Sequence, residues 1–383
     1  MAMKVAIITN EYPTVETPTI GTFVRLNAQA IGSRNEVTVI HLRNEAASGA
    51  ENHYVDENVD VRAFPNAMRT QEDYERAAQI IYSLAPGFDV LHTMNLWSLL
   101  PFGLPDRQEE QLACAWVHTE PWQVATPADW PHDILPVEEI LLRPDGLTAP
   151  AVKMLREIAD KRFASYTAAV PYIVPSPAYG SLPGETGTKF VERPRQKGAL
   201  RLVSVGAVTS RHRPEIAIRT VKTLRAQGID ARLTWVGEGA AKVRSLEKVK
   251  DMGLDSCIEF VSPETISSAE AIDAADLFIG PTKEENFYLP ALQALLAGRP
   301  LVLGMGAADL EYVNDETSEV ITLVKEQNSK YWAAACLEMQ EKTLAMSAAE
   351  VAGAVGERYS PAAIALEYDE VYAETIAASG FAQ

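Results

Sequence analysis

"ADLFIGPTKEENFYLPALQALLAGRPLV", residues 275–302, runs from a short apolar segment into a polar loop, then into a second apolar segment opened by a proline, and ends in a third. The segment 275–280 is short and has no helical period, so it reads as a buried strand, and "PLVLG" (300–304) reads the same way. Pro290 stands where helices begin, because the N–H it lacks would have no partner in a first turn. Strand, loop, helix and strand in this order form a parallel unit, since only a crossover can bring the chain back to run in the same direction.

Working outward, the alternation continues on both sides. Upstream lie a strand at "LRLVSVGAV" (200–208), a helix at 214–227, a strand at "ARLTWVGEG" (231–239), a helix at 240–252 and a strand at "IEFVS" (258–262). A separate series opens the chain: the strand "KVAIITN" (4–10), a helix with Phe23, Leu26, Ala30 and Ile31 on one face, then "EVTVIHL" (36–42), "DVLHTM" (89–94) and "ACAWVHT" (113–119). Residues 121–150 are rich in proline and read as loops. The Gly-, Pro- and charge-rich stretch 179–198 is the natural linker. The fold class is therefore α/β, with two doubly wound domains facing each other across a cleft.

Length agrees with that division, since 383 residues exceed what one core commonly holds and 47% hydrophobic content supplies two. Net charge is −18 and both halves are acidic, so neither nucleic acid nor an anionic membrane is the expected partner. No apolar run is long enough for a membrane span and the start has no signal-peptide order, which leads to the expectation of a soluble, cytoplasmic protein. Cys114, Cys257 and Cys336 form no C-x-x-C pair and read as buried structural thiols.

In doubly wound sheets ligands sit beyond the carboxyl ends of the strands, where helix N-termini present free N–H groups to anions. Gly21 and Thr22 follow the first strand; they read as an anion loop or as a plain turn. His92 and His118 come at strand ends, which places them at the cleft edge, with satisfied structural histidines as the other reading. After "LVSVG", the run Arg211, His212, Arg213 gathers three potential cations before Pro214 and reads as a diphosphate clamp or a solvated surface cluster. His212 assists only when protonated. In "PTKEEN", Glu285 is placed to accept from sugar hydroxyls, backbone near Leu289 and Ala291 to meet phosphate, and Gln293, one turn later, to contact a further hydroxyl. The pattern suits a nucleotide-sugar. A dehydrogenase would instead carry G-x-G-x-x-G after its first strand, and "NEYPTVETPTIG" does not.

Taken together, these stretches resemble the retaining GT-B glycosyltransferases of the family 4 type, over nearly the whole chain. "NEYPTVETPTIGTFVRLNAQAIGSRNEVTVI" resembles that family's opening strand, glycine loop and second strand. Residues 275–302 resemble its Glu-x7-Glu segment, and "YSPAAIALEYDEVYAETI" (359–376) its last helix. The resemblance implies an acceptor-binding domain over 1–185, a nucleotide-sugar domain over 199–360, and a terminal helix (361–383) that crosses back to the first. It implies a hexosyltransferase-like enzyme of the EC 2.4 class using a UDP- or GDP-type sugar donor and a small-molecule or glycan acceptor, with no metal or other cofactor. Gly21 and Thr22 would meet the donor phosphate, and His118 and Glu285 would carry catalysis. Backbone around Val261 and Ser262 would hold the base, the loop Asn286, Phe287, Tyr288 and Leu289 the donor, and His92 and Glu120 would lie on the acceptor side. Three positions depart from the pattern. Ala207 and His212 replace the family's Arg and Lys, Gln293 replaces its second Glu, and Asn286 and Tyr288 replace loop glycines. These departures leave a second reading, a catalytically weakened GT-B-fold binding or partner subunit.

Overall fold

Lys4–Thr9 (β1) is buried from Val5 onward on both faces, as an interior parallel strand requires. It belongs to a computed structural model that describes residues 2–17, 20–44, 50–104, 111–120, 140, 143–149, 170–173, 190–193, 199–285, 288–307 and 310–381. The chain divides into two units, Met1–Pro177 joined by Tyr359–Gln383, and Ala178–Arg358.

In the first unit, α1 (Thr22–Gly32) links β1 to β2 (Glu36–Arg43), and β3 (Asn52–Asp56) pairs antiparallel with β4 (Val59–Pro65). Next come α2 (Gln71–Leu84), β5 (Val90–Met94), a 3₁₀ stretch Leu96–Gly103, β6 (Ala115–Thr119), β7 (Gly146–Ala149) and β8 (Val170–Ile173). The sheet order is β3-β4-β2-β1-β5-β6-β7-β8. The start of α2 is fixed by a capping box in which Thr70 and Asp73 satisfy each other's backbone N–H. The strand β3 went unread in the sequence because it is a polar, largely exposed edge strand with no apolar run.

The second unit holds β9 (Ala199–Val205), α3 (Pro214–Ala226), β10 (Asp230–Val236), α4 (Lys242–Asp251), β11 (Ile258–Val261), α5 (Ser268–Asp273), β12 (Leu277–Gly280), α6 (Leu289–Leu296), β13 (Leu301–Gly304), β14 (Ile321–Val324), α7 (Ser329–Lys342) and α8 (Ala348–Gly353). Its strands run parallel in the order β11-β10-β9-β12-β13-β14. This is the doubly wound dinucleotide-fold order, which reverses direction between β9 and β12. Each strand and helix expected over 200–304 is present, with ends shifted by up to three residues. The last helix, α9 (Pro361–Ser379), packs on α1 and β6 within the first unit and places Ile364, Tyr368, Val371 and Tyr372 in a core shared with Val5, Val24 and Val90. Arg34 and Asn35 both bond its Asp369.

One arginine organises the lower side of the second unit. Arg299 is fully buried, and its guanidinium donates to the carbonyls of Ile272 (2.9 Å), Asp273 (2.7 Å), Ala297 (2.6 Å) and Val191 (2.9 Å). The first two lie at the end of α5 and the third just past α6, so one cation satisfies two helix C-termini. Arg299→Ala strands these carbonyls and is expected to lower stability by about 3 kcal/mol or more. Urea denaturation followed by tryptophan fluorescence checks this, and an unchanged midpoint would refute the assignment.

Candidate functional site

At the reversal between β9 and β12 the loops after both strands meet. Glu285 is 7% exposed. Its Oε1 accepts from Thr282 Oγ1 at 3.0 Å and lies 3.2 Å from His212 Nε2 and 3.9 Å from Arg211 Nη2. Among the described residues all these contacts converge on Oε1, which leaves Oε2 able to accept from a ligand. His212 is held on its other side, with Nδ1 2.9 Å from Thr209 Oγ1. Backbone bonds join the loops as well: Lys283 N–H donates to Arg211 O at 2.9 Å, and Glu285 N–H to Gly306 O at 3.0 Å. Gly306 has no side chain for a packing reason, since a Cβ there would stand 2.1 Å from Lys283 O.

Two of the three expected cations, Arg211 and His212, are thus brought onto the expected carboxylate. Arg211 is half exposed, His212 buried, and Arg213 half-buried in left-handed backbone (φ 50°) as the cap of α3, with Pro214 as its first residue. Tyr288 caps α6, also left-handed (φ 42°), and burial followed by the nearby Glu285 charge raises its phenol above the ordinary range. One detail differs from expectation. Ala291 N–H is taken by the Tyr288 carbonyl at 3.0 Å, because the left-handed cap folds back over the first turn, so it is not free for phosphate. The Val261 carbonyl accepts from Gly237 N–H, and the Ser262 carbonyl from the amides of Thr265 and Ile266. Gln293 is half-buried on α6, and Ala207 is exposed after β9. Asn286 and Phe287 lie outside the described residues. Thr282 and Thr209, which position Glu285 and His212, carried no signal in the sequence beyond being loop hydroxyls.

In the first unit Gly21 caps α1 with φ 72°, and a Cβ on it would stand 2.4 Å from the backbone of Glu11. The chain's own backbone demands this glycine; Thr22 beside it is exposed. His92 and His118 are both fully buried inside their strands rather than at an edge. His92 Nδ1 is 2.7 Å from Tyr372 Oη on α9, and Nε2 is 2.6 Å from Thr119 Oγ1. Its nitrogens are committed to the core, which is the physical reason it does not face outward. His118 Nδ1 is 3.0 Å from Thr93 Oγ1 and Nε2 is 3.7 Å from the buried carboxylate of Glu120. Among the described residues no group of three or more His, Cys, Asp or Glu could hold a metal ion, and no helix is long and apolar enough to cross a membrane.

Comparison with known proteins gives this geometry a relation. Residues 199–342 match the family described as Glycosyl transferases group 1. The D-inositol 3-phosphate glycosyltransferase of Corynebacterium kroppenstedtii is 26% identical over 218 residues, which cover 51% of this chain and 48% of that protein. The GDP-mannose-dependent alpha-(1-6)-phosphatidylinositol dimannoside mannosyltransferase of Mycobacterium tuberculosis is 28% identical over 116 residues, 30% of each chain. The matched stretch thus spans about half or less of the curated relatives. Among solved structures, sucrose-phosphate synthase from Thermosynechococcus elongatus superposes with a TM-score of 0.70 at 18% identity, covering 98% of this chain and 100% of that one. Anabaena HepE in complex with UDP and glucose gives 0.68 at 14% identity, covering 97% and 100%. The fold is that of the GT-B glycosyltransferases, two Rossmann-like α/β domains, and the group 1 domain contains both His212 and Glu285.

Burial, and secondarily the charge of His118, lowers the His92 pKa to about 3. In the unfolded chain it returns to about 6.5, so between those values the unfolded state binds the extra proton and stability falls as pH falls. At pH 5 the loss from this residue is about 2 kcal/mol relative to pH 7.5. Thermal denaturation across this range checks it; His92→Gln is expected to flatten the slope, and a slope unchanged in that variant would refute it.

Proposed function

We propose that the protein is a retaining glycosyltransferase of the family 4 type that moves a sugar from a nucleoside diphosphate sugar to a hydroxyl acceptor. The observation that carries the reading is the Glu285 carboxylate, anchored through Oε1 at the β9/β12 reversal of a group 1 domain and leaving Oε2 to accept from a donor sugar hydroxyl. Arg211 and Arg213 take the place of the family's Arg and Lys beside the diphosphate, with His212 assisting when protonated. In the reaction the acceptor oxygen bonds to the anomeric carbon as the bond from that carbon to the diphosphate breaks. The departing phosphate oxygen takes the acceptor proton on the same face, which retains configuration. The chain's own groups contribute positioning and stabilise charge growing on the leaving group, the larger share of such rate enhancement. A UDP- or GDP-type donor, no metal requirement and a cytoplasmic location belong to the same reading, as does a role for His118 and Glu120 near the transferred sugar.

Thermal-shift measurements test the donor class. UDP or GDP is expected to stabilise the protein, by about 2.7 kcal/mol at one hundred times its dissociation constant, and NAD to have no effect. Stabilisation by NAD alone would remove the reading. Glu285→Gln should abolish transfer while nucleoside diphosphate affinity stays within a few-fold, because the diphosphate lacks the sugar. Arg211→Ala should weaken nucleoside diphosphate binding by about 1.5–3 kcal/mol, measured by calorimetry. Nucleotide binding without product from any sugar nucleotide would point to the binding-subunit alternative.

A further inference from the structure

A cavity of about 300 Å³ lies in the second unit toward the amino ends of β9, β10 and β11, the end of the sheet opposite Glu285 and His212. Arg201, Arg232, Thr234, Cys257, Glu259 and Glu270 line it. Doubly wound sheets take their usual ligands at the carboxyl end, so this cavity is no part of the site described above. Its volume falls at the lower end of the range of small-molecule sites, roughly 300–1,000 Å³.

The chain's own connections leave this space open. β10 and β9 stand between β11 and β12, so the crossover that joins the latter pair spans three strand spacings, about 14 Å. Its helix α5 has six residues and is only about 9 Å long. It packs on β9 and β10 and does not reach over β11. The face beneath is accordingly polar, where an interior parallel strand is ordinarily apolar on both sides. β10 alternates buried Ala231 and Leu233 with exposed Arg232 and half-buried Thr234, and β11 sets exposed Glu259 between Ile258 and Phe260. The helix side of the cavity contributes Ala271, Ala274 and Ala275, which are too small to fill it.

Strand register brings two like charges together. Arg201 on β9 is the neighbour of Arg232 on β10, and Thr234 is the neighbour of Glu259 on β11, all four on the same face. Guanidinium groups side by side repel, and an anion between them turns that repulsion into a pair of charge-assisted bonds. Arg232 is exposed, with Nε 3.6 Å from Asp230 Oδ2, and Arg225 already takes the other oxygen of that carboxylate at 2.7 Å. The carboxylates on the wall are turned to neutral donors. Glu259 Oε1 accepts from Thr234 Oγ1 at 2.8 Å, and Glu270 Oε2 accepts from Ser267 N–H at 2.9 Å and from Ser267 Oγ at 2.8 Å in the capping box of α5. Asp255 and Ser256 stand exposed at the edge of the cavity.

We propose that this cavity is a second anion site, which holds the phosphate dianion of a small phosphomonoester between Arg201 and Arg232. A phosphomonoester carries about −1.5 to −2 charges at pH 7 and offers three acceptor oxygens, so it matches two neighbouring guanidinium forks in charge and in hydrogen bonding. Its organic part lies against Ala271 and Ala274. The proposal is independent of the transferase reading, since the cavity shares no residue with the loops around Glu285.

Calorimetry on the full chain without nucleotide tests it, with inorganic phosphate, glycerol 3-phosphate and phosphoserine set against glycerol, serine and acetate. The three phosphates are expected to bind about ten-fold or more tightly than the other probes. Arg232→Ala should remove that preference, and the exposure of Arg232 means that the variant does not endanger folding. Arg211→Ala should leave the preference unchanged, although it weakens nucleoside diphosphate binding. The titratable groups facing the phosphate are Arg201, Arg232, Asp255, Glu259, Glu270 and Cys257. The second proton of a phosphomonoester leaves near pH 6, so affinity for glycerol 3-phosphate should rise about four-fold from pH 5.5 to 7.5, opposite in sign to a site assisted by protonated His212. Acetate that binds as well as the phosphates, a preference that survives Arg232→Ala, loss of binding in Arg211→Ala, or affinity that grows as pH falls each overturns the proposal. Binding of a phosphoserine peptide with none of the small probes would assign the cavity to a phosphorylated chain and overturn it as well.

Discussion

A carboxylate taken out of water needs donors and cations within reach, and the position of Glu285 depends on meeting that need. Thr282 from its own loop, and His212 and Arg211 from the loop after β9, converge on one oxygen. Those two loops belong to strands on either side of the sheet reversal, so the electrostatic requirement of one side chain fixes the spacing of two crossover connections. The loop after β13 joins through the Glu285 N–H bond to Gly306, and its glycine is dictated by backbone contact. A site built this way is pre-formed, because its parts hold one another before a ligand enters.

Much of this was legible in the order of residues. The strands of the second unit are short apolar runs, with β12 and β13 buried on both faces and β9 nearly so, and length and flanking loop chemistry sufficed to find them. Pro214 and Pro290 marked two helix starts correctly because proline's missing N–H is harmless only there. Glu285 and the Arg211 to Arg213 run stood out as charge at strand ends. What sequence could not supply was who pairs with whom across long separations. His92 looked like a strand-end histidine, yet its partner is Tyr372, 280 positions away, and that contact draws it into the core. The Ala291 amide looked available for the same reason: local reading does not reveal that the Tyr288 cap consumes it.

A cavity in the first unit escaped notice for a different cause. Arg69, Asn10 and Trp97 come from three loops with no motif in common, and each alone is an ordinary surface residue. Only the sheet order, which sets β1 beside both β2 and β5, gathers them around one cavity. Polar loops around a fixed scaffold vary freely, so specificity is written there in positions rather than in patterns.

The terminal helix α9 has a consequence for how the chain acquires its structure during synthesis. One face of the first sheet is covered by Ile364, Tyr368, Val371 and Tyr372, while its strands are all complete before Pro177. The whole second unit is made between those two events, an interval of about ten to forty seconds at usual ribosomal rates of roughly 5–20 residues per second. During that time the first sheet carries an open apolar face, and the second unit, contiguous in sequence, can finish folding ahead of it. The first-made half of the molecule is therefore the last to close, and for that period its exposed face is the chain's point of vulnerability to aggregation and the natural place for a chaperone to bind.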